Sequence, residues 1–224
     1  MATPKSQRIG IWIIAIVLTV GTLGSFLAII LGNQNNAADQ AKITQQQKEY
    51  TVKYNEYSTK VDEQTKSLSK KYYGILSKYA KIPAAFDARN VNKIVKTDLL
   101  VGGGAEITTK IEYSAYYIGW NPKGVIFDQS IDKGALKAPI SGSGLITGWS
   151  EGALGMKLGG VREISIPSDK AYGKTGSGEN IPPNTPIKFI ILAIPKVNEI
   201  TVPAMPVELE QYYQTQYQSQ TSSS

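Results

Sequence analysis

The chain contains neither histidine nor cysteine among its 224 residues. Thiolate nucleophiles, disulfides, imidazole acid–base catalysis and zinc sites of the usual ligand types are therefore excluded. Because little acid–base or metal chemistry is left, we expect no cofactor and no metal site. The composition suits a function that depends on binding rather than on a reactive side chain.

Aromatic side chains are the second group that could carry a function. Each one alone is expected to be an ordinary core residue, since inward-facing aromatics of a small sheet usually are. Their recurrence in five separate segments, beside turn and proline motifs, favours a shared apolar pocket instead. The five residues are Tyr117, Phe127, Trp149, Tyr172 and Phe189.

Two glycine-rich segments look like nucleotide-binding loops but lack the required spacing. Gly173-Lys174-Thr175 ends like a phosphate-binding loop, yet Ser168 stands where that motif needs its first glycine. The segment also leads towards prolines rather than into a helix. Gly102-Gly103-Gly104 lacks the strand-to-helix context of a dinucleotide fingerprint and predicts a plain turn.

The elements that must position the aromatic residues are mainly strands. Residues from Lys110 to Tyr117 alternate with a period of two, which predicts a strand with Tyr113 and Tyr117 on one face and Tyr116 on the other. Ile187 to Ile194 is apolar on both faces, as expected of a central strand covered by a helix on one side and packed on the other. Arg162 to Ile166 predicts a further strand.

One short helix is predicted among these strands. It begins near Thr147 as N-cap, has Glu151 in its first turn, and stops at Gly159-Gly160. An apolar stripe at helical spacing would face the sheet, formed by Trp149, Ala153 and Met156. Several strands with one short helix make an α+β domain.

Three motifs of this region resemble the FKBP-type peptidyl-prolyl cis/trans isomerases. They are residues 117–128 (YIGWNPKGVIFD), residues 145–152 (LITGWSEG), and residues 171–173 (AYG) with 181–183 (IPP). The resemblance covers about half of the chain, in order and with family-like spacings. It implies an α+β fold, a twisted antiparallel β-sheet wrapped around one short α-helix, with an apolar hollow between them that takes a proline ring.

The resemblance also implies roles for individual residues. Trp149 would form the floor of the hollow and Asp128 would lie at its rim. The backbone N–H of Ile146 and the hydroxyl of Tyr172 would donate hydrogen bonds to the substrate. The implied catalytic residues are Tyr117, Phe127, Asp128, Ile146, Trp149, Tyr172 and Phe189. The implied substrate-binding residues are Leu136, Leu145, Ser177, Asn180 and Ile181.

Four positions depart from the family pattern. Leu136 and Ala138 stand where bulky aromatics are common, Asn180 where an aliphatic is common, and Ser177 at a position often aromatic or histidine. We therefore expect a more open outer wall. Two alternatives to catalysis stay open on the same fold: a proline-binding chaperone that hardly catalyses, and a membrane-tethered spacer.

The N-terminal segment from Ile9 to Leu31 has twenty-three residues without a charge. That length matches the roughly 20 residues of a membrane-spanning helix. We predict a signal-anchor helix over residues 9–32, with residues 1–8 in the cytoplasm because Lys5 and Arg8 precede the span. The remainder would lie outside the cytoplasmic membrane of a bacterium. A cleaved signal peptide is the alternative, since small residues follow at Ala37, Ala38 and Ala41.

Three further segments complete the domain prediction. Residues 33–85 have apolar or aromatic positions at helical spacing and predict a helical stalk, with a coiled-coil dimer as an alternative. Residues 86–197 would form the isomerase domain. Residues 198–224 have low complexity and predict a disordered tail.

The predicted partners follow from these segments. The net charge of +6 is not concentrated in one basic patch, so we expect no nucleic-acid partner. The expected partners are proline-containing unfolded or extended polypeptides, the lipid bilayer through residues 9–32, and macrolide inhibitors of the family.

Overall fold

The computed structural model of the protein describes residues 37–221. Its elements, in chain order, are α1 (Ala37–Leu76), β1 (Val95–Leu100), β2 (Tyr113–Trp120), β3 (Ile126–Gln129), β4 (Ile131–Asp132), β5 (Ala135–Leu136), β6 (Ile140–Ser141), α2 (Thr147–Ala153), β7 (Val161–Ile166), β8 (Ile187–Pro195) and α3 (Val207–Thr221). The predicted membrane span and the residues before it lie outside the described range. Within that range, no helix has the length and apolar character that crossing a bilayer requires.

The chain divides into two compact units. One comprises residues 1–53 and 204–224, of which the structure describes 37–53 and 204–221. The other is Tyr54–Pro203 and contains all eight described strands together with α2.

The strands of the larger unit form one antiparallel sheet in the order β1-β7-β8-β2-β3, and β6 also pairs with β2. A separate hairpin is made by β4 and β5. The predicted strand over Ile187 to Ile194 is confirmed as β8, which lies between β7 and β2. With α2 packed on the sheet, this is the α+β fold that the resemblance implies.

One face of the sheet, here called the α2 face, is covered by α2. Its buried residues alternate along β2, β7 and β8 with those of the opposite face. They are Tyr113, Ala115, Ile164, Ile166, Ile187, Phe189, Ile191 and Ala193, packed with Trp149, Ala153 and Met156. Trp149 and Ala153 thus face the sheet as predicted, whereas Met156 is buried on the same face but lies beyond the end of α2.

The helix α2 lies close to β7 because its facing residues have no side chain. A Cβ atom on Gly148 would stand 2.2 Å from Ile166, and one on Gly152 would stand 2.6 Å from Ile164. The helix is shorter than predicted, because Leu154 already has extended backbone angles (φ −56°, ψ 133°). It therefore ends at Ala153 instead of Gly159-Gly160.

The opposite face of the sheet, here called the α1 face, is covered by the second half of α1. Its buried residues are Tyr116, Ile118, Trp120, Leu136, Val161, Ile190, Leu192 and Ile194, packed with Tyr72 and Leu76 of α1. Tyr72 and Tyr116 have ring centroids 6.1 Å apart. This half of the predicted stalk is thus part of the domain core, and the unit extends beyond the predicted 86–197.

The smaller unit differs from the prediction at the C-terminus. Val207–Thr221 is helical where a disordered tail was expected. Leu209 is fully buried, and Glu208 in the first turn accepts hydrogen bonds from Lys42 (3.0 Å) and Gln46 (3.2 Å) of α1. An acidic residue at a helix N-terminus is favoured by the helix dipole. The polar composition concealed this helix because its partner lies far away in the sequence.

The packing of α1 on the sheet generates a stability prediction. We expect Leu76→Ala to lower the free energy of unfolding by about 2–5 kcal/mol, because a fully buried leucine leaves a cavity. Leu100→Ala is the matched control, since Leu100 is 41% exposed on the edge strand β1 and should cost about 1 kcal/mol or less. Urea unfolding of both variants measures the difference; equal effects would show that α1 is not part of the core.

Candidate active site

Four aromatic rings meet on the α2 face, each from a different element. Tyr117 comes from β2, Phe127 from β3, Trp149 from α2 and Phe189 from β8. The centroid distances are 5.2 Å for Trp149–Phe189, 5.6 Å for Phe127–Phe189, 5.7 Å for Tyr117–Trp149 and 6.0 Å for Tyr117–Phe189. All four contacts are edge-to-face, the arrangement that ring quadrupoles favour. The structure thus brings four of the five predicted rings together, all but that of Tyr172, and we call these four the aromatic cluster.

A missing side chain in β2 makes room for two of these rings. A Cβ atom on Gly119 would lie 2.5 Å from the ring of Phe189 and 2.7 Å from that of Phe127. Any other residue at this position would push the rings apart. The sequence signal was a glycine in the alternating pattern two residues after Tyr117, on the same face of the strand.

Tyr113 holds the indole of Trp149 and was not among the predicted site residues. The Nε1–H group of Trp149 donates a 3.0 Å hydrogen bond to the hydroxyl oxygen of Tyr113. Burial raises the pKa of Tyr113, so its hydroxyl stays neutral. The alternation that put Tyr113 and Tyr117 on one face was the signal that pointed to it.

Tyr117 and Asp128 form a polar pair beside the aromatic cluster. The Tyr117 hydroxyl donates to Oδ2 of Asp128, whose Oδ1 accepts a 2.8 Å hydrogen bond from the backbone N–H of Gln129. Burial and, after it, the hydrogen bond to the carboxylate raise the pKa of Tyr117. Asp128 is exposed, and the Nζ atom of Lys137 lies 4.0 Å from its Oδ1. Asp128 is thus the exposed member of this pair.

Two hydrogen-bond donors beside the aromatic cluster have no protein partner within residues 37–221. They are the backbone N–H of Ile146, the residue before α2, and the hydroxyl of Tyr172. Both residues are half-buried and pack against the same core. Burial, and next the charge of Asp128, raise the pKa of Tyr172, so this hydroxyl keeps its proton. The indole N–H of Trp149 and the hydroxyl of Tyr117, in contrast, donate hydrogen bonds to Tyr113 and Asp128.

The predicted substrate-binding residues are placed less uniformly. Ile181 is buried with the aromatic cluster, whereas Leu145 is 37% exposed. Ser177 and Asn180 are exposed. The Ser177 backbone N–H donates to the Ile181 carbonyl at 2.7 Å.

Leu136 requires a correction. It is buried on the α1 face, away from the aromatic cluster, and its backbone N–H donates a 2.8 Å hydrogen bond to Oγ of Ser69 in α1. In the β4–β5 hairpin it pairs with Ile131, which packs on the same face. A two-residue strand carries no periodicity, so the sequence did not show which face its leucine would join.

Arg162 fixes the end of α2, the helix that carries Trp149. Its buried guanidinium donates from Nη1 to the carbonyl oxygens of Gly152 (3.0 Å) and Leu154 (2.9 Å). The same group is held by Asp98 of β1, with a 2.6 Å contact from Nε to Oδ1. These contacts satisfy carbonyl groups that a helix end leaves unpaired.

Within residues 37–221 there is no cluster of three or more metal-ligating side chains.

Comparisons with known proteins point to one family. Residues 104–193 match the family described as FKBP-type peptidyl-prolyl cis-trans isomerase. An FK506-binding protein of Neisseria meningitidis serogroup A is 38% identical over 100 residues, which are 44% of this chain and 92% of that protein. A probable FK506-binding protein of Corynebacterium glutamicum is 42% identical over 100 residues, which are 44% of this chain and 82% of that protein.

One solved structure is a peptidyl-prolyl cis-trans isomerase from Pseudomonas syringae pv. tomato. It is 30% identical, the match covers 59% of this chain and 92% of that one, and the TM-score is 0.41. The family match at residues 104–193 contains every member of the aromatic cluster.

The Asp98–Arg162 pair generates a pH prediction. The hydrogen bond from Arg162 lowers the pKa of Asp98 below its ordinary value in the folded protein. The pair therefore stabilises the fold above the unfolded-state pKa of about 3.9, and this contribution is lost as the pH falls through the folded-state pKa.

We expect Asp98→Asn to be less stable than the native protein at pH 7, with the difference shrinking as the pH falls below about 4. Urea unfolding at several pH values measures this difference. Asp132→Asn is the control, because Asp132 is exposed and has no ion pair within residues 37–221. A difference that stays constant from pH 7 to pH 2 would contradict the assignment.

Proposed function

This chain belongs to the FKBP-type peptidyl-prolyl cis-trans isomerases, and from that premise we propose that its aromatic cluster binds proline and isomerises X-Pro bonds of exported polypeptides. The observation that carries the proposal is the pairing of an apolar cluster with two unpaired donors, at Ile146 and Tyr172. An extended polypeptide presents the matching groups, an apolar proline ring and flanking carbonyl oxygens. The same cluster is proposed to bind macrolides of the kind named in its FK506-binding relatives.

The chemistry needs no nucleophile, metal or proton donor. The barrier to rotation is about 18–20 kcal/mol because resonance gives the planar amide double-bond character and charge separation. Twisting the amide removes both. An apolar site disfavours the polar planar form relative to the twisted form, so it binds the twisted amide better and lowers the barrier.

The residues divide this work between them. Phe127, Trp149 and Phe189 supply the apolar contact with the proline ring. The Ile146 N–H and the Tyr172 hydroxyl hold the chain on either side of the amide. Each gain of about 1.4 kcal/mol in the twisted state accelerates the reaction about tenfold. The uncatalysed reaction takes tens to hundreds of seconds, so a few kcal/mol shortens it below about a second.

We further propose that the protein acts outside the cytoplasm, anchored by residues 9–32. Supporting this are the uncharged run from Ile9 to Leu31 and the preceding Lys5 and Arg8. Polypeptides emerging from the membrane in extended form would be its substrates. Removal of the segment as a signal peptide would leave the domain in the same compartment.

The pocket assignment predicts the effects of two substitutions. We expect Phe127→Ala to lower kcat/KM for a short X-Pro peptide by at least about tenfold, because it removes apolar contact with the proline ring. Tyr172→Phe should lower it only a few-fold, since one donor is lost and the packing is kept. A protease-coupled or NMR-exchange assay of the full chain measures both.

Phe86→Ala is the control for loss of a phenylalanine, because Phe86 packs on the α1 face. It should retain kcat/KM at a temperature where it is folded. Full activity in a folded Phe127→Ala protein would show that the pocket is misplaced, and no activity in the native chain would refute catalysis.

The location is tested by fractionating cells that express the full chain. We expect it in the membrane pellet after alkaline extraction, with the domain accessible to protease added outside. A chain starting at residue 33 should stay in the cytoplasm. N-terminal sequencing of the product distinguishes a retained anchor from a cleaved signal peptide. An intact, soluble chain in the cytoplasm would contradict both of these hypotheses.

A further inference from the structure

Asn121 has a buried side chain that closes the turn between β2 and β3. Its Oδ1 atom accepts hydrogen bonds from the backbone N–H groups of Lys123 (3.0 Å) and Val125 (3.1 Å). Its own backbone N–H donates to the Val125 carbonyl at 3.0 Å. The turn leads directly into β3, which carries Phe127 of the aromatic cluster.

The other end of the same amide reaches a distant segment. The Nδ2 group of Asn121 donates a 2.8 Å hydrogen bond to the carbonyl oxygen of Asn180. Asn180 directly precedes Ile181, which is buried with the aromatic cluster. All the hydrogen-bonding capacity of the Asn121 oxygen is thus used in the turn, while its nitrogen is used in this contact across 59 positions of sequence.

The segment over residues 173–184, here called the outer loop, follows Tyr172 and contains Ile181. It is closed on itself by hydrogen bonds from the Asn184 N–H to the Gly173 carbonyl (2.8 Å) and from the Ser177 N–H to the Ile181 carbonyl (2.7 Å). These bonds set the internal shape of the loop, but they do not join it to the sheet. The Asn121 amide joins the outer loop to the turn between two strands of the sheet.

We propose that Asn121 is a positioning residue that fastens the outer loop to the β2–β3 turn and so holds Ile181 and the Tyr172 hydroxyl ready for a proline-containing chain. The inference deepens the proposed function and rests on it. If the loop is already ordered before binding, no further entropy is lost in ordering it when the substrate binds, and binding is stronger. The bond does not touch the reacting amide, so its loss should act on KM and much less on kcat.

Substitution by aspartate separates the two ends of the Asn121 amide. Asn121→Asp keeps an oxygen for the N–H groups of Lys123 and Val125, so the turn is retained. It replaces the nitrogen donor by a carboxylate oxygen that faces the Asn180 carbonyl and repels it. Asn184→Asp is the matched control, because it puts the same charge on an exposed asparagine of the outer loop and leaves the Asn121 bond intact.

The experiment measures kcat and KM of the full chain separately on one X-Pro peptide, with amide hydrogen exchange on the same proteins. For Asn121→Asp we expect KM to rise by at least about fivefold with kcat within about twofold, because one hydrogen bond is lost and a repulsive contact takes its place. Exchange should accelerate in residues 173–184, while the Lys123 and Val125 amides stay protected. Asn184→Asp should match the native protein in both measurements.

Two results would overturn the proposal. The first is an unchanged KM with unchanged exchange in the outer loop. The second is equal loss of protection in the turn and the loop with kcat falling as much as kcat/KM, which is the behaviour of a purely structural residue. An inactive native chain would refute the proposed function instead, and loop exchange would then still show whether Asn121 fastens the loop.

Discussion

The structure depends on one constraint, that the central strand β8 is apolar on both faces and needs a cover on each. Successive residues such as Phe189 and Ile190 point to opposite sides, and both are buried. The short helix α2 covers one side and the second half of α1 covers the other. Because the two sides are covered by different elements, one face can be shaped for binding while the other supplies packing.

The face under α2 is where we propose the catalytic site of this chain, which has neither histidine nor cysteine. Its polar groups fall into two classes. The indole of Trp149 and the hydroxyl of Tyr117 are bonded to Tyr113 and Asp128, which fixes the rings. The N–H of Ile146 has no partner in the described residues. Fixed rings and available donors are what differential binding of a twisted amide requires.

On the face under α1, by contrast, polar groups of aromatic residues are enclosed in the core. The hydroxyl of Tyr116 and the indole N–H of Trp120 are buried there without a hydrogen-bond partner in the described residues. Burial, and next the neighbouring Tyr72, raise the pKa of Tyr116 to about 12. An unpaired buried donor costs about 1–3 kcal/mol, which the apolar packing of Tyr72 and Leu76 must offset. This face therefore stabilises the fold through apolar contact with α1.

The sequence by itself determined the strand pattern, the short helix with its buried stripe, and the family motifs that bring Phe127, Trp149 and the other rings together, since these are local or recur in fixed order. Only the tertiary structure decided that α1 belongs to the core, that Leu136 faces it, and that Asn121 reaches the loop of Asn180. The physical reason is that periodicity tells which residues of a segment are buried together. It does not tell which distant segment covers them, or which backbone carbonyl a side-chain amide meets across the fold.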